Sequence, residues 1–196
     1  MSEPFCLAFY APINPDQFPA ALTAPVTPPT TFNDWDMLGQ YIYASDLRET
    51  PSTAGKYLDQ LRAGSAPQMG WHFAYDKPTG YLTGMSLLWT DSMPEIIGGF
   101  NVLRQLLATA GNGQAGYVLA HGFAFPDNGT LGGIVTQNGR SEVRPAQDDQ
   151  IQRGVRHATP RAKDMLMQAQ AAHQTSTDTV IMGTLALDEL DLLAGR

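Results

Sequence analysis

GYVLAHGFAFPDNGTLGGIVTQNGRSEVR, the stretch from Gly116 to Arg144, decides the fold class. Tyr117, Leu119, His121, Phe123 and Phe125 alternate with Val118, Ala120, Gly122 and Ala124, which is the two-residue period of a strand. Two turn signals divide the stretch. Asp127-Asn128-Gly129 is the first. Asn138-Gly139 is the second, a dipeptide suited to the positive φ angles of a type I′ hairpin. Strands joined this tightly pair antiparallel, so the stretch predicts a three-stranded meander. The face carrying Val118, Ala120, Gly122 and Ala124 is small throughout and lets a helix sit close to the sheet.

The flanking sequence extends the same pattern. Gly70 to Thr90 predicts a hairpin, with Trp71, Phe73 and Tyr75 on one face of its first arm and Asp76-Lys77-Pro78-Thr79-Gly80 as its turn. Phe5 to Ala11 predicts another strand, with Phe5, Leu7 and Phe9 opposite Cys6, Ala8 and Tyr10. Ser92 and Glu95 are spaced as a capping box, and Ile96, Phe100, Leu103 and Leu107 make an apolar helical stripe, with Gly111 as its stop. Gly98-Gly99 inside that helix implies a close approach by a neighbour. Ser52 or Thr53 opens a shorter helix through Tyr57, Leu58 and Leu61, stopped by Gly64.

Other segments predict less regular structure. Six prolines between Pro12 and Asn33 predict a long loop. Asn33 or Asp34 then caps a helix with Trp35, Leu38 and Ile42 at helical spacing. Pro145 opens a helical region with Ile151, Val155 and Ala158 on one side. Thr159-Pro160 predicts a break and a second helix through Met165, Leu166 and Ala169. Thr179 to Leu187 is apolar on both faces and predicts a central strand, and Asp188 to Gly195 forms an acidic tail. Hairpins and meanders outnumber strand–helix alternations. The expected class is therefore α+β, a mostly antiparallel sheet (hairpin plus three-stranded meander) with helices packed on it, in a single domain over residues 1–196.

Composition narrows the function classes. Of the 196 residues, 43% are hydrophobic and only 16% charged, which argues for a packed core and against disorder. No apolar run reaches the roughly 20 residues of a membrane-spanning helix. The acidic start Met1-Ser2-Glu3-Pro4 is unlike a secretory signal. A lone cysteine, Cys6, suits a reducing compartment, so a cytoplasmic location is expected. It falls among apolar strand residues and reads as a buried, inert thiol. The net charge of −7 disfavours nucleic acid and anionic membranes as partners. The charge is uneven, however. From Arg140 to Lys163 six bases face three acids, a local +3, so the remainder carries −10.

Motifs add little. Gly111-Asn112-Gly113-Gln114-Ala115-Gly116 spells G-x-G-x-x-G, but it follows a helix and precedes a strand, the reverse of a dinucleotide site. His157-Ala158-Thr159 and His173-Gln174-Thr175 both read H-x-T, which is similar to the paired signature of two-histidine phosphoesterases. That family carries the motifs on strands, whereas here they fall in or beside helices, where a histidine suits the helix C-terminal dipole. No histidine or cysteine pair has metal-ligand spacing, and neither a metal nor a cofactor is expected.

Two functional readings follow. In the first, the chain is an acidic protein-binding domain that recognises a basic protein partner, as an immunity-type inhibitor of a basic toxin or enzyme would. Asp34-Trp35-Asp36 is its candidate contact, an aromatic anchor between two steering carboxylates; the alternative for Trp35 is a buried helix-start residue beside an Asp cap. Arg140 and Arg144 are candidate binding residues in the basic segment. In the second, the chain is a small-molecule hydrolase or transferase. His121, in an aromatic wall, is the base, Asp127 its orienter, and Arg140 or Arg144 the anion anchor. His72 is a further histidine to compare, placed to share a face with Asp76.

Overall fold

The computed structural model describes residues 4–39, 51–64, 71–76, 78–109, 114–137, 140–175 and 183–185. Among these residues seven strands form one open sheet: β1 (Phe5–Pro12), β2 (Trp71–Asp76), β3 (Tyr81–Thr90), β4 (Gly116–His121), β5 (Thr130–Gln137), β6 (Arg140–Pro145) and β7 (Gly183–Leu185). Their spatial order is β6-β5-β4-β1-β3-β2-β7. The first six pair antiparallel, and only β7 runs parallel to its neighbour β2. The α+β class and the hairpin-plus-meander framework are as expected. The N-terminal strand β1 joins the two units, pairing with β3 on one side and β4 on the other.

Four helices pack on the sheet: α1 (Phe18–Thr23), α2 (Ala54–Gly64), α3 (Met93–Leu107) and α4 (Asp149–Thr175). The alternation of each strand sends its side chains to two separate cores. Leu7, Phe9, Leu82, Val118, Ala120 and Ile134 pack toward α1, α2 and α3. Cys6, Ala8, Met85, Leu87, Leu119 and Val135 pack on the opposite face, against Ile151, Ala158, Ala162 and Met165 of α4. The small face of β4 does meet a helix, and that helix is α3.

Helix α3 is buried on nearly every side, from Ile96 to Leu107, because the sheet covers one face and α1 and α2 the other. This explains Gly99. A Cβ there would overlap the Tyr57 hydroxyl and come within 2.5 Å of the Trp89 ring. Ser92 occupies the N-cap position, but its side chain makes no capping bond. In α2 the expected cap is present, with the Lys56 amide donating to Thr53 Oγ1 at 3.2 Å.

Several expectations need correction. The segment from Pro12 to Asn33 is not a loop throughout. It holds α1 and a 3-10 turn at Pro29–Thr31, with Phe18, Leu22 and Pro29 buried. Pro19 falls in the first turn of α1, where its missing N–H leaves no intrahelical bond broken. The helix expected after Asn33 is a single 3-10 turn, Trp35–Leu38, ended by Gly39 at φ 150°. Ile42 and the Gly111 stop lie outside the described residues. Strand β4 ends at His121 rather than continuing to Phe125, and the register with β5 shifts there.

Thr159-Pro160 does not break the chain into two helices, because α4 runs through both. A proline in a helix interior costs about 3 kcal/mol. Burial of Ile151 and Met165, one on each side of it, contributes about 1.5–3 kcal/mol apiece, so packing on the sheet outweighs the local preference. Within the Thr179–Leu187 segment the described strand is only Gly183–Leu185, and it lies at the sheet edge rather than the centre. Gln137 pairs with Arg140 across β5 and β6; Asn138-Gly139 between them, like the acidic tail, lie outside the described residues. Among the described residues no helix is long and apolar enough to cross a membrane.

Candidate functional site

The candidate residues from the sequence separate into three places. His121 ends β4, half-buried, with its Nδ1 2.8 Å from Thr130 Oγ1 and its ring edge-on to Phe123 at 4.2 Å. Burial lowers its pKa. Asp127 sits exposed in the 3-10 turn Pro126–Asn128. The ring therefore bonds a threonine hydroxyl where a base–orienter pair needs a carboxylate. Arg140 and Arg144 lie two strands away on β6. They share a cavity of about 380 Å³ with Gln137, Glu142 and Gln150, and His121 is not part of its lining. Arg144 is already engaged by Glu142 and lies 3.9 Å from Asp148.

Asp34-Trp35-Asp36 holds the fold together. Trp35 is 3% exposed, and its indole N–H donates to the Pro29 carbonyl at 2.9 Å. Asp34 accepts a bidentate pair of bonds from Arg104 at 2.8 and 2.9 Å and a third from the Val143 amide at 2.9 Å. Arg104, on α3, is 5% exposed, donates also to the Ser141 hydroxyl and carbonyl, and lies 3.8 Å above the Phe32 ring. Burial works against the Asp34 carboxylate, but the Arg104 guanidinium and the Val143 amide outweigh it and hold its pKa below the ordinary value. Only Asp36 of the three is exposed. The aromatic and one carboxylate thus lock the 3-10 turn onto β6 and α3.

A different cluster lies on the α4 face of the sheet. Strands β1, β3 and β4 bring Tyr10, Tyr81 and Tyr117 side by side, because Tyr10 pairs across β1–β4 with Tyr117 and Tyr81 is the β3 partner of Pro12, two residues on and on the same face. Tyr10 stacks on Tyr81 at 4.1 Å between ring centroids and approaches Tyr117 at 6.0 Å. Helix α4 contributes His157, edge-on to Tyr10 at 4.8 Å. The His157 Nδ1 lies 2.8 Å from the Tyr117 hydroxyl. Gly154, one turn earlier, allows the helix this close: a Cβ there would come within 3.2 Å of the Tyr117 ring.

Two cavities meet at this cluster. One, of about 400 Å³, lies between α4 and the sheet and is bordered by Tyr10, His72, Thr83, Tyr117, Arg161 and Asp164. The other, of about 270 Å³, is bordered by Gln150 and Arg153. Tyr10, Tyr117 and His157 line both. Burial, followed by the nearby Tyr10, pushes the Tyr117 pKa well up, so the phenol keeps its proton. The bond joins that hydroxyl to Nδ1 of His157, so Nε2 is the ring nitrogen it leaves unused. Tyr10 is raised too, by burial and then by Tyr81 and Asp76. Burial and the Arg161 charge lower the His72 pKa, which keeps that ring neutral near pH 7.

The cluster draws on four elements far apart in the chain, so no local motif marks it. The one available signal is that Tyr10 and Tyr117 fall on definable strand faces, and that His157, set aside with its H-x-T string, belongs to the basic segment. Both H-x-T elements lie on α4, not on strands. Cys6 is the buried thiol expected: it donates to the Leu87 carbonyl at 2.9 Å, and burial raises its pKa to about 11. Among the described residues no group of three His, Cys, Asp or Glu side chains is placed to hold a metal ion. No protein-family model, curated protein or solved structure matches the chain.

Proposed function

We propose that the chain is a binding protein, and that a small ligand enters the cleft between α4 and the sheet. The observation that carries this reading is the Tyr117–His157 hydrogen bond at the junction of two cavities. A cavity of about 400 Å³ is within the range of small-molecule sites, typically about 300–1,000 Å³. The walls combine ring faces, Met85 and Ala8 with a few convergent polar groups, as such sites do. Recognition fits better than catalysis. The Tyr117–His157 hydrogen bond offers polar groups and aromatic surface, not a base aligned by a carboxylate. The buried thiol of Cys6 fits a cytoplasmic location as part of this reading.

The test is a fragment screen by ligand-observed NMR on the intact chain, repeated with Thr83→Trp, which places an indole in the cleft. Hits that shift the Tyr117 and His157 resonances and vanish in Thr83→Trp are expected. Hits that map elsewhere and survive the substitution would overturn the reading.

A second reading, recognition of a basic protein such as a toxin, is favoured by a different observation. Asp91 and Glu95, just after β3, and Asp127, just after β4, are all exposed at the same end of the sheet. Charge steering there predicts association that slows with added salt, because exposed charges are screened over about 8 Å at physiological ionic strength. Salt-independent association would count against it.

A further inference from the structure

Arg153, His157 and Arg161 follow one another at intervals of four residues on α4, so they rise along one side of the helix. All three are exposed; His157 borders both cavities at the tyrosine cluster, Arg161 the larger and Arg153 the smaller. The arginines stand eight residues apart, about 12 Å along the helix axis at 1.5 Å per residue. Neither forms an ion pair or hydrogen bond among the described residues. Arg144 and Arg104 differ in this respect, since both are held by carboxylates.

The opposite wall is aromatic. Tyr10 lies between the stacked Tyr81 and the edge-on His157, with Tyr117 beside it. Arg161 is close enough to His72 to disfavour a proton on that ring, so the polar end of the larger cavity is cationic without being crowded by protonated histidine. Among the described residues Asp164 is the one acidic side chain lining that cavity, and none lines the smaller one. On a chain with a net charge of −7, a cleft of this sign is a local exception rather than part of a basic surface. Arginine forks match carboxylate and phosphate oxygens bidentately, and ring faces suit a planar group.

Resting on the cleft as the binding site, we propose that its ligand is an aromatic oxyanion, a planar ring bearing a carboxylate or a phosphate. The ring lies against Tyr10 and Tyr117, and the acid group meets Arg161 or Arg153. The Tyr117–His157 pair leaves His157 Nε2 as a further polar contact between them.

The test compares phenyl phosphate, benzoate, benzyl alcohol, benzylamine and inorganic phosphate, titrated into the intact protein by NMR. Phenyl phosphate and benzoate are expected to bind at least tenfold more tightly than benzyl alcohol or benzylamine, and inorganic phosphate more weakly than phenyl phosphate. Arg161→Gln and Arg153→Gln, both at exposed positions, are expected to fold normally by circular dichroism. At least one should weaken phenyl phosphate about fivefold or more while leaving benzyl alcohol unchanged. Two results would overturn the ligand class but leave the cleft reading standing: benzyl alcohol binding there as tightly as the anions, or both variants binding phenyl phosphate like the parent. If no aromatic probe perturbs Tyr117 or His157, the cleft reading fails with it. If inorganic phosphate binds as well as phenyl phosphate, the aromatic part of the assignment is wrong.

Discussion

Asp34→Ala removes three hydrogen bonds at once, two from Arg104 and one from the Val143 amide. It leaves the Arg104 charge behind, with its side chain 6% exposed and the Ser141 oxygens and the Phe32 and Trp35 rings around it. Breaking a buried pair from one side costs about 3–5 kcal/mol. Asp34 retains 23% exposure, so water can reach the vacated place, and the lower end applies, about 3 kcal/mol. Asp34→Asn keeps an acceptor for Val143 but loses the charge, and about half that cost is expected. Because the pair is shielded, added salt should change these figures little.

The assays are urea unfolding and a thermal melt at pH 7, both followed by tryptophan fluorescence. A chain near 200 residues loses about 2–4 °C in Tm per kcal/mol, so Asp34→Ala should melt about 6–12 °C lower. The double variant Asp34→Ala, Arg104→Met should cost clearly less than the sum of its singles, because the stranded charge is gone. The acid limb follows from the lowered Asp34 pKa. The stabilisation is fully present above about pH 4, the unfolded value, and is lost as pH falls through the lower native value. The gap between parent and Asp34→Asn should therefore close in acid. A penalty below about 1 kcal/mol for Asp34→Ala, or additivity in the double variant, would show that the pair does not lock the turn.

Three further predictions concern packing and reactivity. Gly99→Ala should destabilise by about 1–3 kcal/mol in thermal melts despite alanine's better helix propensity, because the new methyl meets Tyr57 and Trp89; a stabilised variant would refute that contact. Pro160→Ala, at an exposed position, should restore a helical bond to α4 and raise stability by up to about 3 kcal/mol in urea; a loss would mean that the proline's bend is needed by the packing. Cys6, with its thiol pKa near 11, should react with a disulfide reagent at pH 8 only at the rate at which the protein opens; labelling as fast as a free thiol would contradict its burial.

The framework was legible where the signal is local. Alternation in Tyr117–His121 and the turn at Asp127-Asn128-Gly129 suffice for a meander, and the stripe from Ile96 to Leu107 suffices for α3. The errors arose where tertiary burial overrides local preference. Pro160 looks like a stop until the apolar residues on both sides of it find one sheet to cover. Trp35 reads as a partner anchor until Pro29 and Arg104, 6 and 69 residues away in sequence, are folded against its turn. The tyrosine cluster was not legible at all, since β1, β3, β4 and α4 each supply one ring. Strand faces were assignable, but nothing in the sequence states which strands are neighbours.

The central place of β1 bears on how the chain is made. Its seven-residue apolar run, Phe5 to Ala11, is synthesised about 110 residues ahead of the end of its partner strand at His121. At ribosomal rates of about 5–20 residues per second, roughly 5–20 s pass before that strand exists. During that interval the nascent segment is a β-prone, uncharged stretch with both edges open, the kind of sequence that aggregates when left exposed. Production of this protein should therefore depend on a chaperone that shields the emerging β1 segment, and a permutant in which β1 follows β4 should depend on it less.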